Sequence, residues 1–230
     1  MASIQNPAIP KGSTVLVTGV NGFIGSHVAD QFVQQGYVVR GTVRNIEKNA
    51  WLSNYFDKTY GKDKLTLFSV PDMTADNAYD EAAKGVSAIV HVASVLSFDP
   101  DASKVVPTAV KSTEVAIKAA YKQPTVKRFV LTSSSAAAIP SGGLQEKLEE
   151  GQSPVITEES WNSKAVELAW GPAPWGPEQG GIVYSASKVE QERLIWKYHQ
   201  ENQSQRPDMV VNAGKYFFAA GLPVFHVFGF

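Results

Sequence analysis

Apolar residues along this chain recur in short continuous runs rather than in strict alternation with polar residues. Three of these runs, at residues 15–17, 87–93 and 128–132, are rich in β-branched side chains. Such runs are typical of strands buried on both faces, as the strands of a parallel sheet are. The pattern therefore predicts β-strands at these positions. Further strands are predicted at 37–43, 64–70 and 209–212.

Stretches with helical periodicity separate the strand runs. After the first strand, Phe23, Ile24, Val28 and Phe32 recur at the spacing of one helix face. Helices are predicted at 26–35, 47–60, 80–84, 107–121 and 184–202. Strands that alternate with helices over the whole chain predict an α/β fold built on a doubly wound parallel sheet.

The first strand runs directly into three evenly spaced glycines, Gly19, Gly22 and Gly25. In a phosphate-binding turn the first glycine allows a sharp turn, the second lets the backbone approach a pyrophosphate, and the third lets the helix pack closely on the strand. The amino end of that helix would receive the anion. A glycine-rich loop with no ligand is the alternative, but it needs neither the strand before nor the amphipathic helix after. Because both are present, we predict a nucleotide site.

The composition is that of an ordinary globular domain. The 230 residues are 43% hydrophobic, which is enough for a sizeable core in one large domain. The formal charge of -1, with both signs spread along the chain, gives no reason to expect nucleic acid or a membrane as partner. The chain has no cysteine, which excludes disulfides and thiolate catalysis. Residues 1–11 do not have the pattern of a secretory signal, so a cytoplasmic location is expected.

A second constellation combines serines at the end of a strand with a tyrosine and a lysine on a helix. Ser133, Ser134 and Ser135 follow the fifth predicted strand, and Tyr184 and Lys188 are four residues apart. On a helix that spacing puts both side chains on one face. An ammonium at that position would favour the tyrosinate, which would make the phenol a usable proton donor to a carbonyl. A serine hydroxyl at the end of the strand could orient that carbonyl.

The Tyr-x-x-x-Lys spacing carries little weight alone, because Tyr60 and Lys64 share it. That second pair lies at a helix-to-strand junction with Gly61 between its members and has no serine-tipped strand before it. We therefore interpret it as structural. His91 lies inside an apolar strand and is interpreted as a buried histidine rather than a base. The histidines form no cluster in the sequence, and no metal site is predicted.

These motifs together resemble the extended short-chain dehydrogenases/reductases, close to the dihydroflavonol reductase, cinnamoyl-CoA reductase and aldehyde (carbonyl) reductase group. The resemblance spans about residues 13–212. The matching segments are at 17–26, 36–44, 91–94, 128–134, 159–161 and 184–188. The resemblance implies a Rossmann fold and an NADPH-dependent reductase that acts on a small-molecule aldehyde or ketone, or oxidises the alcohol in reverse.

The resemblance also implies roles for individual residues. Ser134, Tyr184 and Lys188 would form the catalytic triad, with Ser133 and Ser135 as alternatives to Ser134. The cofactor would contact residues of the glycine turn, of the segment after the second strand and of the ends of the third and fourth strands. These cofactor-binding residues are Gly19, Gly22, Phe23, Ile24, Gly25, Arg44, Lys48, Asp72, Met73, Val92, Ala93 and Ser94, together with Tyr184 and Lys188.

Charge at the end of the second strand indicates the preferred dinucleotide. NAD enzymes of this fold usually place a carboxylate there for the ribose hydroxyls, whereas a 2′-phosphate calls for arginine. This chain has Arg40 and Arg44, with Lys48 nearby, and no acid. We therefore predict NADP, with Arg44 as the phosphate ligand, over NAD. The alternative is that both arginines are solvated ends of a strand.

Two regions depart from the alternation of strands and helices. Residues 140–181 are predicted as an insertion whose tryptophans, Trp161, Trp170 and Trp175, either line a substrate pocket or pack the insertion down. Residues 214–230 form an apolar tail unlike the family, so an incomplete C-terminal substrate region is expected. The predicted organisation is an extension at 1–12, a dinucleotide-binding domain at 13–213, and the tail. A nucleotide-sugar epimerase or dehydratase, a non-catalytic binding protein and an inactive fragment remain alternatives.

Overall fold

A computed structural model describes residues 6–139 and 155–215. Its strands are β1 (Thr14–Val17), β2 (Val38–Val43), β3 (Leu65–Ser69), β4 (Ala88–His91), β5 (Arg128–Thr132) and β6 (Val210–Gly214). Its helices are α1 (Phe23–Gln34), α2 (Ala50–Tyr60), α3 (Asp80–Ala83), α4 (Ala102–Lys122), α5 (Ser163–Ala169) and α6 (Gln179–Asn202). Short 3₁₀ helices lie at Glu47–Asn49 and Ser135–Ala137.

The six strands form one parallel sheet in the order β3-β2-β1-β4-β5-β6. β1 pairs with β2 on one side and with β4 on the other. The strand order therefore reverses between β1 and β4, and in open parallel sheets ligands bind in the crevice outside the carboxyl ends of the strands at this point. The predicted doubly wound parallel sheet is confirmed.

The sheet is covered on both faces, which explains why its strands are apolar without alternation. Val15 and Val17 of β1 face a cluster that includes Val28 of α1 and Phe56 of α2. Leu16 faces the opposite cluster, which contains residues of α3, α4 and α6. Because successive side chains of a strand point to opposite faces, a strand between two helix layers must be apolar at every position.

Three helices begin earlier than the sequence predicted: α1 begins three residues earlier, at Phe23, and α4 and α6 each begin five residues earlier. α4 starts at Ala102 rather than 107, because the Asp101 carboxylate caps its amino end. The carboxylate accepts a hydrogen bond from the Ser103 amide at a distance of 3.0 Å. Pro107, which favours a helix start, lies in the second turn instead. α6 starts at Gln179 rather than 184, so Tyr184 lies inside the helix and does not open it.

The predicted insertion and tail overlap regular structure. α5 lies within residues 140–181 and packs on α6, while residues 140–154 are outside the described part. β6 continues to Gly214, two residues beyond the predicted strand, because Gly214 pairs with Thr132 of β5. β6 thus includes the first residue of the predicted tail, and residues 216–230 lie outside the described residues, so the division of the chain at residue 214 stays a prediction.

Candidate active site

The glycine turn after β1 packs against the end of β4. Gly19 has a φ of +64°, which favours glycine, and a Cβ built on it would lie 3.1 Å from the Cα of Ala93. A Cβ on Gly25 would lie only 2.3 Å from the Gly19 carbonyl oxygen, closer than atoms can approach without a shift. The turn is therefore closely packed from β4 to α1, in the crevice between β1 and β4.

The amino end of α1 is left available for an anion. Gly22 is its N-cap residue, and no side chain accepts a hydrogen bond there. The first turn carries no acidic residue, and Phe23 is exposed. Free amides and an uncompensated positive dipole end at the crevice form the arrangement that binds pyrophosphate. The residues present thus fit a dinucleotide, although the individual contacts of Gly22, Phe23 and Ile24 stay predictions.

Thr18, which the sequence reasoning missed, ties β1 to the loop after β4. Its hydroxyl oxygen accepts hydrogen bonds from the amides of Val92 and Ala93, both at 3.0 Å. The same oxygen lies 3.0 Å from His91 Nδ1, so the hydroxyl hydrogen is free to be donated to the imidazole. This fixes the segment from Val92 to Ser94 against the glycine turn. In the sequence, the one sign of this role is that a threonine directly precedes Gly19.

His91 is not a base in this arrangement. Its side chain is 1% exposed inside β4, as expected from the sequence. Burial, with a smaller contribution from the Lys188 charge, lowers the pKa of His91 to about 3. The imidazole is therefore neutral across the physiological range and serves as a structural acceptor for Thr18.

Lys188 reaches the same crevice from α6. Its ammonium donates hydrogen bonds to Ser94 Oγ at 3.1 Å and to the Thr132 carbonyl at 3.3 Å. It lies 5.9 Å from the centroid of the Tyr184 ring, one helical turn away on the same face. The structure thus joins the glycine turn, the end of β4 and the Tyr184–Lys188 pair in one continuous site. The ring of Phe98 packs at 5.6 Å from that of Tyr184 and was not anticipated.

The three serines after β5 have different surroundings. Ser133 is buried, and its hydroxyl donates to the Glu192 carboxylate at 2.6 Å. Ser134 is partly exposed, and its hydroxyl oxygen accepts a hydrogen bond from the Ala136 amide at 3.2 Å, capping the 3₁₀ helix. Ser135 is the first residue of that helix. Ser134 therefore keeps an accessible hydroxyl hydrogen, whereas that of Ser133 is already used.

Arg40 in β2 and Arg44 directly after it also have different surroundings. Arg40 donates to the carbonyls of Ala82 and Lys84, at 3.1 and 2.6 Å, and its guanidinium lies over the Phe68 ring. It ties β2 to α3 and is not a solvated strand end. Arg44 is exposed directly after β2, and so is Lys48 in the following 3₁₀ helix. Both cations are thus exposed just beyond the carboxyl end of β2.

Asp72 and Met73 follow β3 at the predicted adenine side. The Asp72 carboxylate accepts hydrogen bonds from the Thr74 hydroxyl and amide, at 2.6 and 2.8 Å, and these bonds hold the pKa of the carboxyl below its usual range. Met73 is half-buried and packs on the core. Their contact with adenine stays a prediction.

The three tryptophans of the predicted insertion have different surroundings. Trp170 and Trp175 are exposed, and the Trp175 indole N–H donates to the Gly171 carbonyl at 2.9 Å. Trp161 is half-buried and lines a cavity of about 580 Å³. Trp196, Glu192 and Lys215 also line that cavity. Neither Tyr184 nor Lys188 lines that cavity, so Trp161 lies at a cavity separate from the crevice that holds this pair.

Within residues 6–139 and 155–215, no group of three or more His, Asp or Glu side chains could hold a metal ion. No helix in the described part of the chain is long and apolar enough to cross a membrane.

Burial of Lys188 makes stability depend on pH in a predictable direction. Desolvation lowers the pKa of this ammonium from 10.5 to about 8. Between these two values the unfolded chain binds the proton that the folded chain has lost, so the free energy of unfolding rises with pH there. We expect a gain of up to about 1.4 kcal/mol per pH unit. Urea unfolding at several pH values should show this slope in the parent protein and no such slope in Lys188→Met. An equal slope in the two proteins would contradict the burial of a titrating ammonium.

Comparison with known proteins places this chain in a family. The sequence profile of the NAD dependent epimerase/dehydratase family matches residues 15–160, which include β1 to β5 and the glycine turn. The chain belongs to the NAD dependent epimerase/dehydratase family. Aldehyde reductase 2 of Sporidiobolus salmonicolor is 40% identical over 213 residues, which cover 93% of this chain and 59% of that protein. The NAD-dependent epimerase/dehydratase terH of Aspergillus terreus is 39% identical over 211 residues, with 92% and 59% covered.

Solved structures of the family share the same architecture. Gre2 from Candida albicans in complex with NADPH superposes with a TM-score of 0.70 at 28% identity, covering 87% of this chain and 56% of that one. Yeast methylglyoxal/isovaleraldehyde reductase Gre2, also complexed with NADPH, gives a TM-score of 0.67 at 29% identity, with 88% and 56% covered. The chain thus spans somewhat more than half the length of the family members it matches.

Proposed function

We propose that this protein is an NADPH-dependent reductase of aldehydes or ketones, which also oxidises the corresponding alcohols in reverse. One observation carries the proposal. The Lys188 ammonium is buried between Ser94 and Thr132, with the Tyr184 ring on its own helix face, in the crevice that the glycine turn borders. A proton donor for a carbonyl and a dinucleotide cradle thereby share one site.

Each side chain has a role that its surroundings allow. The Tyr184 phenol donates a proton to the carbonyl oxygen, and the nearby ammonium of Lys188 stabilises the tyrosinate that results. The Ser134 hydroxyl, which keeps its hydrogen, orients the same oxygen. NADPH, when bound, supplies the hydride. The hydrogen bonds from Lys188 to Ser94 and Thr132 hold the ammonium in place between the ends of β4 and β5.

The relatives support a carbonyl substrate. Aldehyde reductase 2 is named for aldehyde reduction, and a second relative, at 39% identity over 210 residues, is the ketoreductase adrE of Penicillium rubens. Yeast Gre2 is a methylglyoxal/isovaleraldehyde reductase. The exposed apolar side chain of Phe98, which packs on the Tyr184 ring, also favours an uncharged substrate over a sugar nucleotide.

The charges after β2 support NADPH as the cofactor. Arg40 is engaged by backbone carbonyls, which leaves Arg44 and Lys48 for a 2′-phosphate. Arginine binds phosphate through paired, charge-assisted hydrogen bonds. Both Gre2 structures named above hold NADPH.

Arg44→Glu is expected to weaken NADPH binding by about ten- to a hundredfold, since hydrogen bonds to charged groups are worth about 1.5–3 kcal/mol. NADH binding should change much less. Calorimetric titration of both cofactors checks this, with Arg40→Lys as the comparison, because Arg40 is engaged by backbone carbonyls and by Phe68. An equal loss for the two cofactors would exclude Arg44 as a 2′-phosphate ligand.

The activity itself is tested by following NADPH consumption with a panel of aldehydes and ketones and identifying the alcohol formed. NADPH loss matched by equimolar alcohol is the expected result. Conversion of a sugar nucleotide without net NADPH loss would instead support an epimerase. Tight NADPH binding with no conversion of any carbonyl would support a non-catalytic binding protein.

A further inference from the structure

A third residue, the acidic Glu192, continues the face of α6 that carries Tyr184 and Lys188. Glu192 lies four residues after Lys188 and eight after Tyr184, so the three side chains follow one another at successive turns of the helix. Tyr184 and Lys188 face the crevice, whereas Glu192 meets the segment that joins β5 to the 3₁₀ helix. One face of α6 therefore contacts both the crevice and the segment that carries Ser133 and Ser134.

Glu192 is buried and fully engaged. Its side chain is 3% exposed. One carboxylate oxygen accepts the Ser133 hydroxyl at 2.6 Å, and the other lies 3.4 Å from the ammonium of Lys215. A buried carboxylate is tolerated only when it is paired and hydrogen-bonded, so the Ser133 hydroxyl and Lys215 are required partners. The bond to Ser133 is charge-assisted, which makes it stronger than a bond between neutral groups.

The backbone from Thr132 to Ser134 is held at each residue. The Thr132 carbonyl accepts from Lys188 at 3.3 Å, and the Ser133 amide donates to the Gly214 carbonyl at 2.9 Å. Glu192 adds the only side-chain hydrogen bond on Ser133 within the described part of the chain. Ser134 follows in an extended conformation, with φ −149° and ψ 152°.

We propose that Glu192 is a positioning residue for Ser134, acting through Ser133. Successive side chains of an extended segment point to opposite sides. A Ser133 hydroxyl anchored at Glu192 therefore keeps the Ser134 side chain turned away from Glu192 and fixes its direction. This proposal rests on the proposed function, because Ser134 is taken as the residue that orients the carbonyl.

Kinetics of three variants separate positioning from a merely structural effect. Glu192→Ala should lower kcat by about tenfold or more, the scale set by losing one charge-assisted hydrogen bond, with unchanged NADPH affinity and KM. Glu192→Gln keeps an acceptor of the same shape and should recover most of kcat. Ser133→Ala removes the same bond from the other partner with little change in volume and should match Glu192→Ala.

The deciding measurement is a double-mutant cycle with Ser134. In a Ser134→Ala background, Glu192→Ala should cost no further kcat, because the group it positions is already absent. If the losses of kcat in the two single variants multiply in the double variant, Glu192 acts on the fold or on another group, and the proposal is overturned. The same conclusion follows if Glu192→Gln is as impaired as Glu192→Ala, or if Ser133→Ala retains full kcat.

A second readout does not depend on turnover. Because the chain has no cysteine, Ser134→Cys introduces a single thiol. Its rate of alkylation by iodoacetamide reports the exposure and ionisation of that side chain. Adding Ser133→Ala or Glu192→Ala should change this rate several-fold, whereas the rate of an exposed control, Ser103→Cys, should not change.

Equal rates at Ser134→Cys with and without the Glu192 bond would overturn the proposal. If the parent protein binds NADPH but turns over no carbonyl, the proposed reductase activity fails by itself. The alkylation result then still decides whether Glu192 sets the position of residue 134.

Discussion

Tyr184→Phe is expected to lower kcat for carbonyl reduction by at least about a hundredfold, because positioned general acids contribute roughly 10²–10⁴ to such rates. NADPH affinity should remain, since the ring, its contact with Phe98 and the Lys188 hydrogen bonds are all retained. Steady-state kinetics together with calorimetric NADPH titration measure both quantities. Loss of turnover with intact binding would assign the proton transfer to the phenol.

The chain supplies its own control for this substitution. Tyr60→Phe removes a phenol with the same spacing to a lysine, but the Tyr60 hydroxyl donates to Asp30 on the outer face of the α1–α2 layer. It should leave kcat unchanged. Full activity in Tyr184→Phe would refute the proposed mechanism, and equal losses in the two variants would point to a general effect of removing a tyrosine hydroxyl.

Gly25→Ala is expected to destabilise the protein by about 1–3 kcal/mol and to abolish measurable NADPH binding. Alanine is about 1 kcal/mol better than glycine inside a helix, which alone predicts a gain. The added Cβ, however, would lie 2.3 Å from the Gly19 carbonyl oxygen, a backbone atom that cannot rotate away. Overpacking against backbone therefore outweighs propensity. The α1 amino end must then move off the turn that is proposed to hold the pyrophosphate.

Gly181→Ala is the matched comparison, because its added Cβ would meet nothing within 4 Å and its φ is not positive. That variant should be stabilised by up to about 1 kcal/mol and should bind NADPH normally. Urea unfolding and NADPH titration of both variants check the pair. If Gly25→Ala proved as stable as Gly181→Ala, the close approach between the turn and α1 would be refuted.

The sheet could be predicted because the information about it is local. Each strand between two helix layers is an apolar run, and the turn after β1 needs glycine for reasons visible in its spacing. The start of α6 could not be predicted in the same way. Gly180 and Gly181 have poor helix propensity, but a Cβ on Gly180 would lie 2.3 Å from the Phe98 carbonyl oxygen. A tertiary contact thus decides where that helix begins.

The candidate site also has a part that the sequence could predict and a part that it could not. Tyr184 and Lys188 share a helix face at a spacing that can be read from the sequence, and Ser134 follows a recognisable strand. The partners that hold them are distant in sequence: Ser94 is 94 residues from Lys188, and Ser133 is 59 residues from Glu192. No pattern of neighbouring residues encodes these pairs. Only the fold reveals that Arg40 is engaged by backbone carbonyls whereas Arg44 is exposed, or that Glu192 accepts a hydrogen bond from Ser133.

β4 lies between β1 and β5, and this central place has a consequence for any attempt to divide the protein. A piece of the chain that stopped before residue 87 would keep the glycines but lose Ala93, against which Gly19 packs. Its β1 would also expose an unpaired edge, which invites aggregation. Since each strand pairing here is parallel and needs a crossover connection, the glycine turn depends on residues far along the chain and cannot be excised as an independent module.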